Sequence, residues 1–349
     1  MKRLDKTILT VIVFVTLGLI PSACIDTLDF GTVTSEGQLV IYGLLTDELG
    51  THHVEVGRTD RFGLLPQGDP SASVLLLEEN GNFFPYSHVG AGRYELNEFQ
   101  AEETKRYAIQ VQSGEQIYRS EFQELPKQSA EQEVEYSFIT ESEGMRTRPF
   151  LSLEANVNLP ESEEDIYLRW SLEETFLWVR LWTGGPFELP PPNCFIYDEI
   201  DPSTLPLLTS AETGSRNFNI DLGRRLVDDS FLYPFFVSVR QLSVSRETFE
   251  YWSRVKSVLN NQGSLFDIPP APILGNIRNV EDPEERVLGY FEVAKVSISR
   301  IFTTSADVPF FLTNPCTNSQ NPPALCFDCE AKALGRRWNT ETPDWWGFD

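Results

Sequence analysis

Apolar and polar residues alternate along most of this chain, the period-two signature of half-buried strands. Lys105 to Gln112 (KRYAIQVQ) puts Tyr107, Ile109 and Val111 on one face. Gln38–Leu45, His53–Val56, Ser73–Leu77, Arg93–Leu96 and Gln116–Phe122 also read as strands, separated by Gly- and Asn-rich turns. Glu79-Asn80-Gly81-Asn82 carries Asn-Gly at the centre of a hairpin turn, and Phe83–Val89 answers as the return strand. Short strands at this spacing predict an antiparallel sandwich over residues 38–126, immunoglobulin-like or transthyretin-like.

Leu125-Pro126-Lys127-Gln128 marks a boundary, and residues 127–312 read as a larger β-rich domain. Its strands are expected at Glu133–Thr140, Phe150–Val157, Phe218–Leu222 and Tyr233–Leu242. Asp165–Leu172 is expected to pair with Thr175–Trp182 across Glu173-Glu174, and Val287–Ile301 reads as a late strand pair. The Pro/Gly/Ser-rich residues 183–215 read as a long irregular loop. One amphipathic helix is predicted near 246–261. Ser245 suits its N-cap and Glu247 its first turn, while Phe249, Trp252, Val255 and Leu259 recur at helical spacing. Gly263 supplies a stop, and Phe249 and Trp252 should face the sheet. The fold class is therefore mostly β, with one helix and a cysteine-containing C-terminal tail, 313–349.

The first residues follow a different pattern. Lys2, Arg3 and Lys6 precede an apolar run from Ile8 to Ile20, then Pro21-Ser22-Ala23-Cys24. This is the layout of a secretory signal, 1–23, and the run is too short to span a hydrocarbon core of roughly 30 Å comfortably. Cys after Ser-Ala resembles a bacterial lipobox, so Cys24 is the expected site of lipidation (palmitate) and residue one of the mature chain. Residues 24–37 read as a polar tether, and Asp26 and Asp29 resemble export signals toward the outer face of the outer membrane. The formal charge of −24 falls to near −26 without the basic leader. An acidic excess of this size repels phosphate backbones and makes nucleic acid a poor partner.

Four cysteines remain downstream: Cys194, Cys316, Cys326 and Cys329. An even number in an oxidising compartment predicts two disulfides, with three connectivities open. Cys326-Phe-Asp-Cys329 lacks the βαβ surroundings of a redox motif, and Cys194 and Cys316 do not form the second close pair of a zinc ribbon. No metal and no cofactor is expected.

A run of motifs gives these elements a familiar order. Arg240-Gln241-Leu242-Ser243-Val244-Ser245 is followed by Phe249-Glu250-Tyr251-Trp252. Then come Phe266 to Pro272 (FDIPPAP), Gly275-Asn276-Ile277 and Val287-Leu288-Gly289-Tyr290-Phe291. With Leu39 to Thr46 (LVIYGLLT), Gly92-Arg93-Tyr94, Asp328-Cys329 and Pro343-Asp344-Trp345-Trp346, they resemble the Bacteroidota lipoprotein family known as domain-of-unknown-function family 4249. The resemblance covers nearly the whole mature chain and brings no catalytic residues. Members are often encoded beside TonB-dependent outer-membrane transporters. The resemblance thus implies a surface-exposed outer-membrane lipoprotein, an accessory binding or assembly subunit of such an uptake system, held to the membrane through lipid on Cys24. The alternative is a structural or adhesive envelope protein.

Candidate chemistry is sparse. Histidine is limited to His52, His53 and His88, and neighbours on a strand face opposite ways. No metalloprotease, phosphate-loop, dinucleotide or nucleophile-elbow motif occurs, so no enzyme is expected. The carboxylate pairs Glu102-Glu103, Glu163-Glu164-Asp165, Glu173-Glu174 and Asp228-Asp229 read as solvated acidic loops. Tyr197-Asp198-Glu199-Ile200-Asp201 lacks the Gly-centred loop of a calcium site. The best binding candidate is one face of the strand ending at Trp182, where Phe176, Trp178, Arg180 and Trp182 combine aromatic rings with a cation. Leu177, Val179 and Leu181 on the other face read as core. The late tryptophans Trp338, Trp345 and Trp346 are expected to dock on the chain's own core.

Overall fold

The computed structural model describes residues 37–59, 67–144, 146–185, 187–200, 205–212, 215–260, 273–317 and 321–347. The leader, Cys24, most of the tether and Phe266–Pro272 lie outside the described residues. From Gly37 onward the chain is one compact unit, mostly β, with an eleven-stranded, a six-stranded and a three-stranded sheet among the described residues. The backbone of the large sheet runs, in spatial order, Arg337–Asn339, Cys194–Glu199, Tyr167–Trp178, Phe235–Val244, Leu288–Thr303, Leu39–Thr46, Gly50–Arg58, Arg93–Phe99 and Ser87–Gly90. Leu39–Thr46 pairs in parallel with Leu288–Thr303, from Val40 opposite Leu288 to Thr46 opposite Ala294. Among the described residues the other pairings along that path are antiparallel.

Two cores sit against this sheet. Leu39, Ile41, Val54, Val56 and Phe291 meet Val74, Leu76, Ile109 and Val111 of the six-stranded sheet. This is the N-terminal sandwich, and it draws strands from far along the chain: Ile277–Asn279 extends the six-stranded sheet beside Gln116–Ser120. The second core packs Leu168, Trp170, Phe176, Phe235, Val237 and Val239 of the large sheet on Leu151, Leu153, Ala155 and Val157 of the three-stranded one.

The Gly275-Asn276 and Gly289-Tyr290-Phe291 motifs close the junction between the sheets. Asn276 donates through Nδ2 to the Phe291 carbonyl at 2.7 Å and accepts from the Phe291 amide at 2.9 Å. The backbones approach so closely that a Cβ on Gly289 would lie 1.9 Å from the Ile41 carbonyl oxygen. Gly289 also has φ +94°, a region that disfavours side chains.

Four expected segments differ in the structure. Tyr167–Trp178 is one continuous strand, not a hairpin turning at Glu173-Glu174. Both carboxylates find arginines within the fold, so no solvated turn is needed to accommodate them. Leu288–Thr303 is likewise one strand of 16 residues, with Gly289 at its start relieving a close approach rather than making a turn. The predicted loop 183–215 contains two strands, Cys194–Glu199 and Leu207–Thr209, that pair with Tyr167–Trp178. Phe83–Val89 is split: Phe83–Pro85 stays in the six-stranded sheet and Ser87–Gly90 crosses to the large one around buried Tyr86.

The helix spans Arg246–Asn260, close to its expected bounds. Ser245 Oγ accepts the Thr248 amide at 3.2 Å, as an N-cap should. Among the described residues no helix is long and apolar enough to cross a membrane. Phe249 packs on Tyr167 with ring centroids 5.2 Å apart. Trp252 Nε1 donates to Glu292 at 3.1 Å. Beneath it, the fully buried Glu292 carboxylate accepts Arg169 Nε at 3.0 Å and the Tyr42 hydroxyl at 2.8 Å. The Arg169 guanidinium lies 4.7 Å from the Trp252 ring centre. Burial opposes the charge on Arg169, but Glu292 outweighs it and the guanidinium titrates above its ordinary range.

Two disulfides form, Cys194–Cys329 and Cys316–Cys326. The first ties strand Cys194–Glu199 to a short helix, Cys329–Ala333, 135 residues away. The tail also docks through aromatic rings. Trp346 is 3% exposed and packs 5.0 Å from Phe195 and 4.5 Å from Phe236. Trp338 stays partly exposed.

Two outcomes are expected. Glu292→Ala leaves the buried Arg169 charge unpaired and should lower unfolding stability by about 3–5 kcal/mol, measured by urea denaturation. The Cys194→Ser/Cys329→Ser variant should lose about 2–5 kcal/mol on the same assay, while reducing agent should leave that variant's remaining stability far less changed than the parent's.

Candidate functional site

Glu174 lies in the middle of a core strand, yet it is ionisable and 2% exposed. Its bidentate partner is Arg225, whose Nη2 donates to Glu174 Oε1 at 3.0 Å and whose Nε donates to Oε2. Arg225 comes from strand Asn217–Leu226, in the three-stranded sheet. The same guanidinium contacts Asp228 Oδ2 at 3.1 Å and Ser230 Oγ at 3.0 Å. Asp228 also accepts the Ser230 amide at 2.9 Å, capping the short 3-10 turn Asp229–Leu232.

A cleft of about 520 Å³ opens beside this network, lined in part by Asp198, Asp228, Asp229, Lys332 and Arg336. The helix Cys329–Ala333, fastened by Cys194–Cys329, delivers Lys332 to it. Lys332 Nζ pairs with Asp229 at 2.8 Å and lies 4.0 Å from the Trp178 ring centre. Arg336 stands 3.7 Å from Asp198 and 3.9 Å from Glu174. Its position is fixed by donation to the Ala333 and Lys332 carbonyls.

The carboxyls titrate differently according to their surroundings. Burial pushes Glu174 above the ordinary carboxylate range, and Arg225 only partly offsets it while the charges of Asp198 and Asp228 add to the rise. Burial also opposes ionisation of Asp228, but Arg225 and the two Ser230 donors outweigh it and hold the carboxyl below its ordinary value. The arrangement is a mixed-charge cleft that can order polar or charged groups of a ligand. Its side chains are already matched to one another.

Of the four residues expected to form a binding face, Phe176 and Trp178 are buried in the second core. They underlie the cleft through Lys332 and do not present a platform. Trp178 Nε1 donates to the Leu325 carbonyl at 2.8 Å. Arg180 points elsewhere, donating to the Pro192 carbonyl at 2.7 and 3.0 Å. Trp182 is 41% exposed. Expected-core Leu177 packs instead in the small cluster under Trp346. The acid pairs Glu173-Glu174 and Asp228-Asp229 carry the site that the sequence reading missed. Glu173 accepts from Arg337 at 2.8 Å. The available signal was an acid pair inside an otherwise strand-forming run.

Residues 25–300 match the family described as Domain of unknown function (DUF4249). The chain belongs to that family. No curated protein matches it. The DUF4249 span contains the carboxylate wall of the cleft and Arg225, whereas Lys332 and Arg336 come from beyond residue 300.

The depressed Asp228 carboxyl has a pH signature. A carboxyl held below its unfolded value contributes stability above that value, about 3.9, and loses it as pH falls through the folded one. Asp228→Asn should therefore be less stable than the parent at neutral pH. The gap should close as pH drops below about 3.9, read from urea midpoints across a pH series. A gap that stays constant into acid contradicts the assignment.

Proposed function

We propose that this DUF4249 chain is a non-enzymatic outer-membrane surface lipoprotein, an accessory binding or assembly subunit of a TonB-dependent uptake system. The observation that carries the reading is the Ser22-Ala23-Cys24 sequence after a short apolar run, ahead of a polar stretch and a folded body beginning near Gly37. A lipidated cysteine with several acyl chains gives stable membrane attachment without a spanning helix. The cleft supports a non-catalytic role, because Asp228, Asp229 and Asp198 each face a cation within the network. Structural ion-pair networks perturb carboxyl titration without doing chemistry.

The test is a pull-down of the tagged chain from gently solubilised outer membranes, beside Cys24→Ala. Stoichiometric recovery of a TonB-dependent transporter with the parent, lost or weakened with Cys24→Ala, is expected. Intact, surface-exposed protein that recovers no transporter overturns the uptake role and leaves a structural or adhesive one.

A further inference from the structure

The face of the large sheet opposite its two cores is covered at two places. The helix Arg246–Asn260 covers Leu242, Val244 and Ala294 through Phe249. The C-terminal Trp345 and Trp346 cover Phe195 and Phe236. Between these covers lie Arg240 on strand Phe235–Val244 and Arg300 on strand Leu288–Thr303. Ser238 pairs with Arg300 and Arg240 with Ile298, so the two arginines are diagonal neighbours on one face.

Among the described residues neither guanidinium has an acidic partner within 4.0 Å. The Nε of Arg240 is buried with no hydrogen-bond acceptor. In a chain with 52 acidic residues against 28 lysines and arginines, this is not for want of carboxylates. Burial, then the charge of Arg240, weaken the hold of Arg300 on its proton, and Glu48 and Glu173 only partly offset them. A buried N–H without an acceptor, beside a like charge, is destabilising unless something else fills the gap.

The neighbouring groups do not neutralise the two guanidiniums. Glu173 is engaged by Arg337 at 2.8 Å. His53 lies close enough to feel the Arg240 charge, and burial first, then Arg93 and Arg240, bring its imidazole down to about 3. It is therefore neutral at physiological pH and adds no competing charge. Arg300 is steadied from one side by the Trp345 ring, 4.7 Å away. Two guanidiniums on one face match the oxygens of a carboxylate, phosphate or sulfate.

We propose that Arg240 and Arg300, on the face of the large sheet between the helix and Trp345, form a binding site for the oxyanion group of a small solute. The site is separate from the mixed-charge cleft. It holds whether or not the chain works with a transporter.

The test is thermal unfolding of the purified full-length chain in detergent, with acetate, phosphate or sulfate titrated against chloride at fixed ionic strength. Phosphate and sulfate also stabilise proteins without a site, in a non-saturating way. The diagnostic signal is therefore a saturating rise in melting temperature that Arg240→Met and Arg300→Gln abolish. Arg119→Gln, at an exposed arginine bonded to Gln110, should keep it. The anion that gives the rise identifies the head group. In chloride, Arg240→Met should melt at or above the parent, because it removes an unpaired charge. The proposal is overturned if no anion gives a saturating rise, if the rise survives in both site variants, or if Arg240→Met melts several degrees lower in chloride.

Discussion

The ion pair between Arg169 and Glu292 is the constraint around which the large sheet is organised. It joins two strands separated by another, Phe235–Val244, and it lies under the helix. Taking both charges out of water is expensive, and the attraction offsets that cost only when the remaining hydrogen-bonding capacity is met. Here Tyr42 and Trp252 supply donors to the carboxylate. Strand Leu39–Thr46, strand Tyr167–Trp178, strand Leu288–Thr303 and the helix must therefore be in register together. A slip of one residue in any of the strands would turn its contribution to the opposite face.

The same logic recurs at the other end of the sheet with a different outcome. Glu174 and Arg225 form a second buried pair, but it opens onto a cleft, and the surrounding cations arrive from sequence-distant segments. Arg225 comes from the three-stranded sheet, Lys332 from a disulfide-tied helix and Arg336 from the turn after it. In an acidic chain cations are the scarce component. Their concentration around Glu174, Asp228 and Asp229 neutralises charge where the fold brings carboxylates together. Solvent does that work for acids on exposed loops.

Alternation made the mostly β class and many of the strands legible, and Ser245 with its apolar spacing made the helix legible. The four downstream cysteines predicted two disulfides, but their pairing depends on which loops meet in space. Glu173-Glu174 looked like a turn because a local window contains no partner for either charge. Arg225 is 51 residues from Glu174 and Arg337 is 164 from Glu173. Phe176 and Trp178 looked like a platform because alternation identifies a face without saying what covers it. The covering layer comes from Lys332 and the C-terminal helix, and from the second core. The missing information in each case is a contact between distant segments, which periodicity does not encode.

The parallel pairing of Leu39–Thr46 with Leu288–Thr303 also sets an order of events during synthesis. A chain made N-terminus first delivers Leu39–Thr46 early, and its partner emerges only after about 250 further residues, the separation of Tyr42 from Glu292. Until then one edge of the strand has unmet amide and carbonyl groups, the kind of edge that templates aggregation. The hairpin with Gly50–Arg58 covers the other edge at once. That edge closes only when the last long strand arrives, so the first strand of the fold is also among the last to complete its pairing.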